Sequence, residues 1–221
     1  MIMNTLVNMD CMLYMKQMRD NSVDFTLTDI PYCAVNRKDN GLRSLDKGKA
    51  DDKTFDLIPF LESVYRVTKG SICVFCGKEQ FSVIFNWFNK EHGKEGTVRQ
   101  LIWAKSNPSP MNGDYIYLSA TENAVWFKKK GATFNAHCKK NVFTFPCGKH
   151  VIHPTQKNLE LFKDLILDNT NNGDLVFDPC SGGGTTALAC KLLDRNFVGC
   201  ELDKDFYEKS LAYLKECKVK A

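Results

Sequence analysis

Asp178-Pro179-Cys180-Ser181-Gly182-Gly183-Gly184-Thr185-Thr186 joins an apolar run, Leu175 to Asp178, to a stretch with helical spacing, Thr185 to Leu193. A second apolar run, Phe197 to Glu201, follows it. Strand, glycine turn, helix and strand in that order form one mononucleotide-binding unit, which implies a mostly parallel sheet wrapped by helices. The pattern continues outward. Helices are expected over Leu159 to Asn169 and Phe206 to Lys215 on either side of the unit. Further upstream, strands are expected over Thr5 to Val7, Val23 to Thr28, Ser71 to Phe75 and Val98 to Trp103. Helical spacing covers Met12 to Met18, Leu57 to Val67 and Glu79 to Asn89. Tyr115 to Leu118 and Asn123 to Phe127 alternate as a pair of strands would. The class is α/β.

A chain of 221 residues holds one well-buried domain and is short for two. Its 43% hydrophobic and 25% charged content is that of a soluble globular protein, and its apolar runs are strand-length, too short to span a membrane. Met1 to Asp10 lacks the basic segment and apolar run of a secretory signal, so the expected compartment is the cytoplasm. The ten cysteines fall singly in apolar or helical stretches, which reads as reduced thiols rather than a disulfide scaffold. A net charge of +4 permits nucleic-acid binding without demanding it.

The glycine turn could serve three ligand classes. A phosphate-gripping loop needs a Lys after its glycines, and Thr185 stands there instead. A dinucleotide fingerprint is met only in part by Gly182 and Gly184. The acidic start at Asp178 favours a ligand with an ammonium group, and S-adenosylmethionine has one, together with a carboxylate and a ribose. Glu201 ends the next strand roughly 20 residues on, where a carboxylate can accept both ribose hydroxyls. Asp10-Cys11, after the first strand, lies beside this unit if that strand is its neighbour in the sheet; an Asp there also suits a helix N-cap.

Thr28-Asp29-Ile30-Pro31-Tyr32 ends another strand, the position at which open α/β sheets bind ligands. Alone, the tetrapeptide from Asp29 reads equally as a turn with a buried Tyr. Its residue types also suit a specific reaction. An exocyclic amine of adenine or cytosine is a poor nucleophile because its lone pair is delocalised into the ring. The Asp29 carboxylate and the Ile30 carbonyl could each accept one N–H and localise that pair for attack on a sulfonium methyl. Pro31 would stiffen the carbonyl, and Tyr32 offers a face for a flipped base. Neither metal nor covalent intermediate is required.

These segments together resemble the beta group of amino-methylating DNA methyltransferases, the circularly permuted kind. Asn21 to Tyr32 is similar to the entry into that group's D-P-P-Y motif. Tyr65 to Ser71 and Trp103 to Pro108 resemble its middle segments, and His153-Pro154-Thr155-Gln156-Lys157 its H-P-T-Q-K-P. Asp178 to Thr186 resembles D-P-F-x-G-S-G-T-T, and Asn196 to Asp203 the strand after it. The resemblance implies a class I methyltransferase fold with a doubly wound seven-stranded sheet. It implies a cofactor pocket lined by Asp10, Cys11, Asp29, Lys157, Asp178, Cys180, Gly182, Gly184, Thr185 and Glu201. Ile30, Cys180 and Asn158 depart from its Pro, Phe and Pro.

It further implies a target-recognition insertion at about 106–152, where Lys128, Lys129, Lys130, Lys139 and Lys140 would meet duplex DNA. Phe134, Phe143 and Phe145, interleaved with them, could wedge a base step. The polar stretch from Val35 to Lys53 would close over the flipped base. An Asp at the head of the tetrapeptide favours N6 of adenine, with N4 of cytosine as the alternative. A non-catalytic DNA-binding subunit is the alternative of another class, motivated by Ile30. A homodimer, a restriction endonuclease partner and a prokaryotic or phage setting accompany the resemblance.

Other signals carry less. Pro146-Cys147 with Glu122-Asn123-Ala124-Val125 echoes C5-cytosine enzymes, but in an order that leaves Asp29 to Tyr32 without a role. His137, Cys138, Cys147, His150 and His153 match no regular zinc spacing, so no metal is expected. Cys73 and Cys76 fall on opposite faces of one strand and read as core.

Overall fold

The computed structural model describes residues 3–32, 56–110, 113–148 and 156–216. Eight strands form one sheet in the order β1-β8-β7-β2-β3-β5-β4-β6. They are β1 (Thr5–Asn8), β2 (Val23–Asp29), β3 (Thr68–Cys76), β4 (Gly96–Lys105), β5 (Thr121–Lys129), β6 (Val142–Phe145), β7 (Leu175–Asp178) and β8 (Asn196–Glu201). The helices are α1 (Cys11–Gln17), α2 (Leu57–Val67), α3 (Lys78–His92), α4 (Leu159–Asn169), α5 (Thr185–Leu192) and α6 (Lys204–Glu216). Every pairing is parallel except those β5 makes with β3 and β4. The doubly wound α/β fold is therefore present, with one strand beyond seven: β6 adds to the outer edge of β4.

The strands alternate their apolar residues between two cores. Phe25, Leu27, Cys73, Phe75 and Trp126 face α4, α5 and α6, whose Leu161, Phe162, Leu188 and Leu214 complete that layer. Ile72, Val74, Cys76, Val125 and Phe127 face the other way, against Met15 of α1, Phe60 and Leu61 of α2 and Phe88 of α3. Cys73 and Cys76 thus sit on opposite faces, as their spacing requires. Burial on both faces explains why the central strands read as nearly continuous apolar runs. Each large core side chain contributes about 1.5–3 kcal/mol.

Tyr115 to Leu118 does not form the strand its alternation suggests. The partner proposed for it, β5, already pairs β3 on one edge and β4 on the other. With no free edge left, the run stays outside the sheet, Tyr115 at 88% exposure and Tyr117 at 101%. The stretch expected as an insertion also supplies β5 and β6 to the main sheet.

Two asparagine and aspartate caps fix helix starts near the site. Asp10 Oδ1 accepts from the Met12 and Leu13 amides at α1. Asn158 accepts from the Leu161 amide at 2.9 Å and donates to the Pro146 carbonyl, a cap that the proline of the resembling motif could not provide.

The connections wind away from a central pair. From β7 the chain passes through α5 to β8 on one side, and from β2 it passes through α2 to β3 on the other. Adjacent strands that lead in opposite directions leave a crevice beyond their carboxyl ends, the standard ligand position in such sheets. Asp29 ends β2 and Asp178 ends β7.

Candidate active site

The glycine loop after β7 is shaped by two left-handed residues, Gly182 at φ 47° and Gly184 at φ 71°. Gly184 precedes α5 and offers no side-chain cap, so the first amides of that helix lack the usual side-chain acceptor. Beneath the loop, β8 passes so close that a Cβ at Gly199 would stand 2.2 Å from Ser181 Oγ. Glu201 closes the loop from the side. Its Oε2 accepts from the Gly182 amide at 2.7 Å and its Oε1 from the Asp203 amide at 2.8 Å. Burial raises its pKa, and those amide bonds pull against the rise.

Asp178 has both oxygens engaged within its own loop, by the Thr186 hydroxyl at 2.5 Å and the Cys180 amide at 3.1 Å. Burial pushes its carboxyl to about 7 despite these donors. Cys11 and Cys180 meet across the start of α1. The Cys180 thiol is pushed well above its usual range, first by its hydrogen-bonded neighbour Cys11 and then by burial.

At the end of β2 the tetrapeptide is held at several points. The Ile30 amide donates to the Phe75 carbonyl at 3.2 Å, extending the β2–β3 ladder, and the Ile30 side chain is buried. Gln80 of α3 donates to the Pro31 carbonyl at 2.9 Å and accepts from the Gly77 amide at 2.9 Å. The tetrapeptide therefore has a defined backbone without the first proline of the resembling motif.

Lys157 reaches in from the segment before α4. Its ammonium lies 3.0 Å from Asp29 Oδ2, 2.5 Å from Glu122 Oε2 and 3.1 Å from the Tyr32 hydroxyl. That hydroxyl also donates to Glu122 Oε2, at 3.4 Å. Lys105, at the end of β4, pairs with Glu122 Oε1 at 2.7 Å. Asp29 Oδ1 is shut off from solvent and meets no donor within hydrogen-bonding geometry among the described residues.

The electrostatics follow from how the cations are shared. Burial raises the Asp29 carboxyl to about 6, and the Lys157 ammonium and the Tyr32 hydroxyl offset only part of that. Glu122 also suffers from burial, but it has two cations, Lys157 and Lys105, and its pKa is lowered. Lys157 holds its proton because the two carboxylates outweigh its desolvation. A chain of alternating charge, Lys105–Glu122–Lys157–Asp29, ends at the Asp29 carboxylate.

Of the residues expected to share a cofactor pocket, Asp178, Gly182, Gly184, Thr185, Glu201, Asp10, Cys11 and Cys180 gather around the ends of β1, β7 and β8. Lys157 is placed at Asp29. Glu122, Lys105 and Gln80 are also part of the site, a role that nothing in the sequence assigns to them. Of the expected DNA-contacting lysines, Lys128, Lys129 and Lys130 are not brought to the same end. β5 runs antiparallel to β3, so Lys128 pairs Ser71 while Asn123 pairs Cys76. Lys128, Lys129 and Lys130 thus lie roughly 17 Å along the strands from the Asp29 end. Lys129 donates to the Tyr65 carbonyl at 2.8 Å, and Lys139 pairs with Asp164 and Asp168 of α4. The stretch from Val35 to Lys53, His150 and His153 lie outside the described residues. No group of metal-ligating side chains occurs among the described residues, and no described helix is long and apolar enough to cross a membrane.

The sequence model of the N6/N4 DNA methylase family matches residues 23–212. The type II methyltransferase M2.MboI of Moraxella bovis is 28% identical over 91% of this chain and 84% of its own length. M.HinfI of Haemophilus influenzae is 26% identical over 98% of this chain and 69% of its own. Among solved structures, the M1.HpyAVI complex with S-adenosylmethionine superposes with a TM-score of 0.74 at 28% identity, covering 95% of this chain and 98% of that one. The cytosine-N4-specific PvuII methyltransferase reaches the same TM-score at 17% identity, over 98% of this chain and 87% of that one, which is a likeness of fold.

Proposed function

The chain belongs to the N6/N4 DNA methylase family, and from that premise we propose that it transfers a methyl group from S-adenosylmethionine to the exocyclic N6 amine of an adenine flipped out of duplex DNA. One observation carries this reading. Asp29 presents a buried carboxylate oxygen, Oδ1, that meets no donor in hydrogen-bonding geometry among the described residues, at the crevice where β2 and β7 diverge. A buried acceptor left empty is costly unless a ligand supplies the donor, and an amine N–H is such a donor.

The surrounding residues fit the cofactor. The uncapped start of α5 suits a carboxylate, and Glu201 has lone pairs beyond its two amide bonds for ribose hydroxyls. Bound S-adenosylmethionine supplies an electrophilic methyl on sulfur. Asp29 Oδ1 accepts one N–H of the amine, and the carbonyl of Ile30, whose amide is tied to Phe75, accepts the other. Together they draw the nitrogen toward a tetrahedral shape and localise its lone pair. Tyr32, with its hydroxyl held by Lys157 and Glu122, supplies a ring for the base to stack on. With its carboxyl near 6, Asp29 is ionised at neutral pH yet basic enough to take the proton the amine sheds after transfer.

DNA would approach the Asp29 end of the sheet, where the exposed Tyr115 and Tyr117 project from the loop between β4 and β5. An amine of cytosine meets the same acceptor, so N4 of cytosine is the second reading. A homodimer, a cognate restriction endonuclease and the cytoplasm of a bacterium complete the proposal, in keeping with the sequence resemblance. The test is transfer of labelled methyl to unmethylated duplex DNA followed by nucleoside digestion. Label in N6-methyladenine supports the reading, label in N4-methylcytosine selects the second, and absence of transfer overturns both.

A further inference from the structure

We infer that Glu122, at the start of β5, is a positioning residue for the methyl transfer: it holds the Lys157 ammonium to one side, so that Lys157 occupies Asp29 Oδ2 and leaves Oδ1 open for the base. The inference rests on the proposed methyl-transfer reading.

A buried ammonium beside a carboxylate is drawn toward both of its oxygens, because each contact adds a charge-assisted hydrogen bond. Lys157 is 6% exposed at its side chain and has little water to compete for it. Left to Asp29 alone, it would settle across the carboxylate and cover the acceptor that the reaction needs. Glu122 prevents this by holding the ammonium on its Oε2, from where Lys157 meets Asp29 at Oδ2. Lys105, 2.7 Å from the other Glu122 oxygen, keeps Glu122 charged and fixes its rotamer from outside. The Tyr32 hydroxyl bridges the same pair, so the residue that sets the acceptor also sets the stacking ring. Glu122 itself touches neither the tetrapeptide backbone nor the glycine loop in any hydrogen bond described, so its effect passes through Lys157 and Tyr32.

The measurement is steady-state methyl transfer by full-length wild type, Glu122→Gln, Lys157→Gln and the double variant, with S-adenosylmethionine affinity measured by calorimetry. Glu122→Gln keeps size and the reach to Tyr32 but removes the charge. Its kcat is expected to fall about 10- to 100-fold, the cost of misplacing reacting groups by about an ångström. KM for DNA and the dissociation constant for S-adenosylmethionine are expected to stay within threefold. The double variant should lose no more than Lys157→Gln alone, because the second change removes an effect already gone. Glu122→Asp, charged but short, should recover part of the loss. An unchanged kcat in Glu122→Gln overturns the inference, and so do additive losses in the double variant. So does a fall in cofactor affinity that matches the fall in kcat, since that is what a general loss of structure produces. If wild type transfers no methyl, the functional reading fails first and this inference with it.

Discussion

Lys157 engages one oxygen of Asp29 and leaves the other: its ammonium stands 3.0 Å from Oδ2, while Oδ1 is buried and meets no donor among the described residues. Asp29 must be ionised to accept an amine N–H, and burial places its carboxyl at about 6. The pH profile of kcat should therefore fall on the acid side with a midpoint near 6 and be flat through neutrality. Lys157 is the cation that lowers the Asp29 pKa. Lys157→Met should move that acid limb upward. A limb near 4, or one that stays put in Lys157→Met, would remove Asp29 as the titrating group.

The same carboxylate has a cost in stability. A pKa raised from 3.8 to about 6 means that the folded state holds the proton more tightly than the unfolded one. The favourable contribution is full below pH 3.8 and is lost as pH rises through 6. Asp29→Asn lacks this dependence, so relative to wild type it should gain at most about 3 kcal/mol between pH 4 and pH 8. Chemical denaturation at the two pH values measures it. A variant that instead loses ground as pH rises would show that the ionised form is the one the fold favours.

Glu201 ties the glycine loop to the end of β8 through the Gly182 and Asp203 amides. Glu201→Gln can keep only one of these bonds as an acceptor and loses the charge that ribose hydroxyls would meet. Affinity for S-adenosylmethionine should drop by roughly 10- to 100-fold, the range for hydrogen bonds to a charged group. Calorimetric titration decides this, and unchanged affinity would place the ribose elsewhere.

Ile30 fills the place of a proline with a ladder bond and a buried side chain. Ile30→Pro removes the amide that donates to Phe75 and leaves a void in the core around α1 and α2. It should destabilise the protein by about 1–3 kcal/mol without raising kcat. A higher kcat in this variant would mean that Ile30 compromises the backbone carbonyl.

Lys128 and Lys130 lie at the far end of the sheet from Asp29. Replacing both with Ala should leave DNA affinity and its salt dependence as in wild type. A shallower salt slope would show that phosphates are neutralised there.

The sequence made the central unit plain because its signals are local. A glycine turn between an apolar run and a helical run is read from adjacent residues, and Asp178, Gly184 and Glu201 lie where that reading puts them. Tyr115 to Leu118 misled for the converse reason: alternation shows that a run could be a strand, but not whether a free edge exists to receive it. β6 is four residues long and gave no periodicity to read. Glu122 was visible only as an echo of a different motif. Its partner Tyr32 is 90 residues away, and nothing short of the β3–β5 pairing brings them together. Lys128 and Lys129 show the same limit, since charge is legible in a sequence and the end of the sheet that carries it is not.

The central claim is best tested by methyl transfer from labelled S-adenosylmethionine to unmethylated duplex DNA, comparing wild type with Asp29→Ala and digesting the product to nucleosides. The account predicts label in N6-methyladenine for wild type and none for the variant, with cofactor binding preserved in both. Transfer that survives in Asp29→Ala, or a wild type that binds cofactor and DNA yet transfers nothing, would contradict it.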